Sequence, residues 1–219
     1  SSSVTGVQTC ALPISDGIPL LEDKFRNPAG YENLLVAGFR RSGNDLYRPH
    51  CQRCEACRSL RIPVAQFNPS RSQKRIRQLN RDIEIVLSYD DKPEYYLLYE
   101  RYIRERHHDG SMYPPNRSQY RGFLHCDWMP PLYLEMRKEG RLIGVATTDL
   151  LPHSLSAMYT FFDPDYADRS LGTFAILCQL DLARRTGRSW LYLGYLVEAC
   201  RKMNYKRNYL PHELLIQGE

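Results

Sequence analysis

The feature that most constrains this chain is the order of elements between Pro131 and Tyr195. PLYLEMR and RLIGVATTDLL alternate apolar residues and read as a hairpin across Glu139-Gly140. SAMYTFFDP reads as a third strand and SWLYLGY as a fourth. Between these two lies SLGTFAILCQLDLARRTG, an amphipathic helix that stops at Gly187. The helix opens just after a strand that ends in Asp163-Pro164. Its unsatisfied N–H groups and positive dipole end therefore fall at the C-terminal end of a sheet. That position suits phosphate, with Ser170, Gly172 and Thr173 as its residues. A single glycine is a weak motif, and an ordinary helix start accounts for the same residues. Gly194 in the next strand marks a close backbone approach.

The rest of the chain divides near Ser88–Pro93, where YDDKP reads as a turn. Before it come a helix over AGYENLLVAGF with Gly38 as its stop and a hairpin around Ser42-Gly43-Asn44. LRIPVAQF reads as a strand that Pro63 confines to an edge or an end. Ser70 then caps a basic helix, SRSQKRIRQLNRD, that leads to the strand IEIVLS. After the turn stand the tyrosine-rich helix PEYYLLYERYIRERHH and a second helix, RSQYRGFLHC. Following the fourth strand come a short basic helix and a final strand, ELLI. The first fifteen residues have no period and no charge, and VTGVQTCALPI looks like the translation of a sequencing-library adapter. Residues 1–15, Cys10 included, are therefore expected to be foreign to the fold.

Charge is unevenly placed. Between Arg40 and Arg81 eleven Lys/Arg face two acids, Asp45 and Glu55, in a chain whose net charge is +5. The remainder is net acidic, so a polyanion partner is expected at the basic segment. Sixteen tyrosines offer surfaces on which bases could stack. Seven cysteines without a framework spacing point to a reducing compartment, and no apolar run reaches membrane-helix length. The expectation is a cytoplasmic protein with no membrane partner.

PHCQRCEAC places Cys51, Cys54 and Cys57 at two-residue gaps behind His50. Zinc wants four ligands, and His50 abuts Cys51 too closely to be an easy fourth. Zinc or an iron–sulfur cluster stays open beside a structural or reactive-thiol role, since Arg53, Arg58 and Arg61 would favour thiolates.

Two resemblances add to this. Strand, helix and strand from SAMYTFFDP to SWLYLGY resemble the GNAT acyltransferase core, in which the two strands splay and the acyl donor lies between them. The glycine-rich loop for acyl-coenzyme A is poorly matched, which points to another donor. In addition GFRRSG, YRPHCxxCxxC, RIPV, PSRSQKR, MYPP, YTFFDP, SLGTFA, LYLGY and MNYK occur in this order. Together they resemble the bacterial branch of the arginyl-tRNA–protein transferase family, over about Asn27 to Glu219. Family members carry a further cysteine near the start, where the adapter-like segment stands here.

The resemblance implies an α+β fold. A small N-terminal cysteine-containing α/β domain (residues 16–88) would precede a GNAT-like transferase domain (residues 89–219) with a mixed sheet flanked by helices. It implies transfer of leucine from leucyl-tRNA to proteins beginning with Asp or Glu, marking them for degradation. Arginyl transfer on the same fold and a non-catalytic tRNA-binding module are the alternatives.

Such a reaction is aminolysis of an ester and requires no cofactor. An α-amine with pKa of about 7.7–8.0 is partly neutral near pH 7, so positioning and oxyanion stabilisation can supply much of the rate. Tyr159, Thr160 and Asp163 are the catalytic candidates, Asp163 as a proton acceptor or only as a turn cap. Tyr192, Gly194 and Tyr195 would line the donor site with Ser170, Gly172 and Thr173. Arg71, Lys74 and Arg75 would meet tRNA phosphates. Arg40, Arg41 and Lys206 are candidates for the acceptor's acidic side chain.

Overall fold

The computed structural model describes residues 17–20, 22–50 and 56–216. The adapter-like segment 1–15, Cys51 and Cys54 lie outside them. Strand β1 (Gly17–Leu20) precedes helix α1 (Pro28–Val36). Asn27 caps α1 by accepting from the N–H of Gly30 at 2.8 Å, with Pro28 at the first helical position. The helix stops before Gly38, whose φ of +83° only glycine adopts freely. β2 (Arg40–Ser42) and β3 (Asp45–Pro49) form the expected hairpin across Gly43 and complete a three-stranded sheet in the order β1-β3-β2.

Next come β4 (Arg58–Pro63), α2 (Arg71–Leu79), β5 (Glu84–Ser88), α3 (Pro93–Arg106) and α4 (Arg117–Leu124). Ser70 caps α2 in a reciprocal box: its Oγ accepts from Gln73 N–H, and Gln73 Oε1 accepts from Ser70 N–H. The hairpin β6 (Leu132–Lys138) and β7 (Arg141–Leu150) leads to β8 (Ser154–Phe162), α5 (Leu171–Arg185), β9 (Trp190–Leu196) and β10 (Glu213–Leu214). The seven-stranded sheet runs β10-β4-β9-β8-β7-β6-β5. Only β8 and β9 are parallel, joined through α5. This is the expected mixed sheet flanked by helices.

Side chains alternate across β9 and so reach two cores. Leu191 and Leu193 pack with Leu177 and Leu180 of α5, and Tyr192 packs with Tyr31 and Leu35 of α1. A third core joins Tyr95, Tyr99 and Ile103 of α3 to Val145 of β7 and Phe161 of β8.

Long-range pairing and burial add to three expectations. The division at residues 88/89 does not separate two sheets, because β4 and β5 both belong to the sheet that β6–β9 build. Pairing between distant segments decided this, and no local signal carries it. β4 is an inner strand that β10 covers, and Pro63 is its last residue, which is the strand-end alternative of the expectation. Ten of the sixteen tyrosines are buried, so most of this aromatic content packs the core rather than forming a surface for bases. Among the described residues no helix is long and apolar enough to cross a membrane.

Candidate active site where two strands part

β8 and β9 pair over three residues only, Ser154–Ser156 against Trp190–Tyr192. Beyond that each strand continues with its outer neighbour alone. Both are bulged at the point of separation. Met158 of β8 has no partner between Tyr159↔Thr147 and Ala157↔Thr148, and Leu193 of β9 has none between Gly194↔Leu60 and Tyr192↔Arg61. A bulge bends its strand and increases the twist, so two facing bulges drive the strands apart. The strand burial follows the gap: Ala157–Thr160 are half-buried, whereas the residues on either side are buried. This stretch leaves a strand edge whose N–H groups have no partner strand. Tyr159 and Thr160 lie on it, with the Tyr159 ring edge-on to Phe123 at 5.4 Å. α5 starts after the end of β8, so its N-terminus lies at the parted end of the pair. Ser170 sits there in left-handed geometry without a side-chain cap, beside half-buried Gly172 and Thr173.

Two cations meet at the parting strands. Arg40 is buried and donates through Nη1 to Ser156 Oγ at 3.3 Å and through Nη2 to Ser59 Oγ at 3.4 Å. Its guanidinium lies over the ring of Tyr192 at 5.3 Å and of Tyr195 at 5.9 Å. Lys206 is also buried, and its Nζ donates to the Tyr195 carbonyl at 2.7 Å. It stands beside Gly194, where a Cβ would lie 3.5 Å from it. Neither cation has a carboxylate partner among the described residues. Burial pulls the Lys206 ammonium down to about 7, with the charge of Arg40 acting the same way and the thiols of Cys200 and Cys57 acting against it.

The structure separates Arg41 from this pair. Arg41 is buried against Asp149 of β7, with Nε 3.0 Å from both carboxylate oxygens and Nη2 2.5 Å from Oδ1. Successive residues of a strand point to opposite faces, so neighbours Arg40 and Arg41 have different partners. Arg41 joins the small sheet to the large one, and its three nitrogens are all engaged within the protein.

Asp163 likewise takes the structural role. It is 2% exposed. Its Oδ1 accepts from Arg101 at 2.7 Å and from Asp165 N–H at 3.0 Å, and its Oδ2 from Arg141 at 2.7 Å. With both oxygens occupied it caps the turn after β8 and is no base. Tyr192 and Tyr195 are buried rather than open to an adenine. The Tyr192 hydroxyl accepts from Arg61, and the Tyr195 hydroxyl donates to the Gly38 carbonyl at 2.8 Å. Their faces hold Arg40. Arg71, Lys74 and Arg75 are exposed along α2, which is fixed to the Lys206 segment by a bond from buried Gln73 to the Asn208 carbonyl at 3.3 Å. Cys57 is half-buried; two of the three clustered cysteines fall outside the described residues, so no ligand set is described.

Comparison with known proteins decides the family. The N-terminal model of arginine-tRNA-protein transferase matches residues 8–75, and the C-terminal model matches residues 94–216. The chain belongs to the arginine-tRNA-protein transferase family. It is an aminoacyltransferase whose family works with an aminoacyl-tRNA and a protein. The gap between the two matches holds the YDDKP turn, and the first match overlaps residues 8–15 of the adapter-like segment. An aspartate/glutamate leucyltransferase of Aeromonas salmonicida is 82% identical over 200 residues, covering 91% of this chain and 84% of that protein. One from Pseudoalteromonas atlantica is 57% identical over 187 residues, covering 85% and 81%. A solved protein of unknown function from Bacteroides thetaiotaomicron is similar in fold alone. Its TM-score is 0.50 at 11% identity, over 74% of this chain and 61% of that one.

Sequence reasoning pointed to the strands that part in the structure but missed the residues that hold Arg40 between them. Ser59 and Ser156, which hold Arg40, carry no motif signal. Gly194 was the readable clue, since its φ of +83° marks the bulge.

Proposed function

We propose that this transferase moves leucine from leucyl-tRNA to the α-amine of proteins that begin with Asp or Glu, tagging them for N-degron degradation. One observation carries the acceptor rule: Arg40 and Lys206 are two buried cations with no carboxylate beside them among the described residues. Buried charges are stable only when paired. An acidic side chain on the first residue of the acceptor supplies the missing partner. The names of the relatives support leucine as the group transferred.

The acceptor's carboxylate is held by Arg40 and Lys206, which brings its amine to the open edge of β8. The amine attacks the aminoacyl carbonyl, and the ribose oxygen leaves. Unpaired N–H groups of β8 are the candidate donors to the oxyanion. This chemistry needs neither metal nor cofactor. The basic face of α2 follows the tRNA backbone, and the α5 N-terminus lies at the acceptor-stem end.

The test is transfer of labelled leucine, and separately of labelled arginine, from charged tRNA to peptides beginning with Asp and with Ala. Leucine on the Asp peptide alone is expected; arginine on it instead would assign the other donor. Arg40→Gln should raise KM for the Asp peptide roughly 30-fold, the effect of about 2 kcal/mol from a buried ionic contact. The tRNA footprint has its own readout. If Arg71, Lys74 and Arg75 touch phosphates, each replacement by Gln should lower the slope of log affinity against log salt by roughly one. An unchanged slope would make α2 an ordinary solvated face.

A further inference from the structure

Lys206 is built differently from a lysine that only holds a charge. Its Nζ is buried at the β9 bulge, against Gly194, where even a Cβ would come within 3.5 Å of it. One hydrogen bond, to the Tyr195 carbonyl, is its only described partner. A neutral amine satisfies that carbonyl with one N–H and keeps its lone pair. The charged and titratable groups that face it are Arg40 from β2, Cys57 before β4 and Cys200 after β9. The fixed charge that faces it, Arg40, is thus positive and disfavours an ammonium. Lysines of this kind serve as proton acceptors.

We propose that Lys206 accepts the proton of the acceptor's α-ammonium, and that the acceptor's own side-chain carboxylate drives this transfer. The inference rests on the acceptor reading above. Before binding, the repulsion between Arg40 and a charged Lys206 favours the neutral amine. An acidic first residue brings a carboxylate between them and removes that repulsion. The proton then passes from the α-ammonium nitrogen to Lys206 Nζ. The neutral α-amine attacks the ester carbonyl, the C–O bond to the ribose breaks, and the ribose oxygen takes the second proton released by the nitrogen. The products are the new amide, free tRNA and a Lys206 ammonium paired with the acceptor's carboxylate. An Ala-initiated acceptor brings no carboxylate, so its amine stays protonated. Acceptor selection and nucleophile activation become one event.

Lys206→Arg keeps a cation for the carboxylate but cannot become neutral, because guanidinium keeps its proton. At saturating Asp peptide and pH 7 its kcat is expected to fall roughly 100-fold, the usual contribution of a positioned base. At pH 9, where the free α-amine is mostly neutral by itself, the deficit should shrink to under roughly tenfold. A Lys206→Arg enzyme with wild-type kcat at both pH values overturns the proposal. So does one slowed by the same factor at both, which marks a packing defect. Wild-type enzyme that labels no Asp peptide from either charged tRNA overturns the transfer reading, and this inference with it.

Discussion

Replacing Asp149 with alanine should unfold the protein more readily than any change in the acceptor site. Asp149 and Arg41 both have side chains 0% exposed, and the guanidinium has no other acid among the described residues. Its remaining bonds are to the carbonyls of Gly43 and Leu124, each at 3.3 Å. Removing the carboxylate leaves a buried guanidinium unpaired, which costs about 3–5 kcal/mol. For a domain of this size that lowers Tm by roughly 6–20 °C. Thermal melts of Asp149→Ala beside wild type measure it. The double variant Arg41→Met with Asp149→Leu separates fold from function. Replacing both members by apolar groups of similar volume is often neutral for stability. Because Arg41 faces the sheet interface, the double variant should still discriminate Asp from Ala peptides. Loss of that discrimination in a folded double variant would return Arg41 to the acceptor site.

Replacing Lys206 with methionine should have the opposite sign on stability and abolish transfer. The Lys206 ammonium titrates near 7 in the folded chain, well below its ordinary value of about 10.4. Between those values the unfolded chain binds more protons, so this group makes stability rise with pH across the window. Below pH 7 its cost is present in full. Methionine removes the cost and keeps the volume, so the variant should be more stable than wild type at pH 7 by up to about 4 kcal/mol, or roughly 8–16 °C in Tm. The difference should shrink steadily with rising pH and vanish only above roughly pH 11, where lysine is neutral in both states. Melts from pH 6 to 10 trace this directly, and leucine transfer at pH 7 should be at least roughly 100-fold slower. A variant less stable than wild type at pH 7 would mean that Lys206 is paired in the folded chain and is no strained cation. A site that is less stable because it is prepared for a ligand is a common form of the trade between stability and activity.

Much of the chain is legible without tertiary information. The capping box at Ser70, the stop before Gly38, the turn at Gly43 and the β6–β7 hairpin are local, because each satisfies backbone groups with residues a few positions away. The strand–helix–strand step from β8 to β9 is legible for the same reason, and with it the place of the site. Adjacent Arg40 and Arg41 show where legibility ends. Both are cations of a short strand, and alternation says that they differ in facing. Only the pairing of β7 with the sheet brings Asp149 to one of them and leaves the other among serines and tyrosine rings. Asp163 is similar: its position left a base and a turn cap open, and Arg101 and Arg141, distant in sequence, occupy both its oxygens.

The sequence alone therefore determined the elements, their order, the family pattern and the sign of the charges near the site, since these depend on neighbours along the chain. The tertiary structure decided which charges are neutralised within the protein and which have no acid beside them among the described residues. It also made one sheet of two apparent domains and turned a lysine into a group that can be neutral at pH 7. Those properties depend on what water is excluded and which charges converge, and both are set by contacts between segments far apart in sequence.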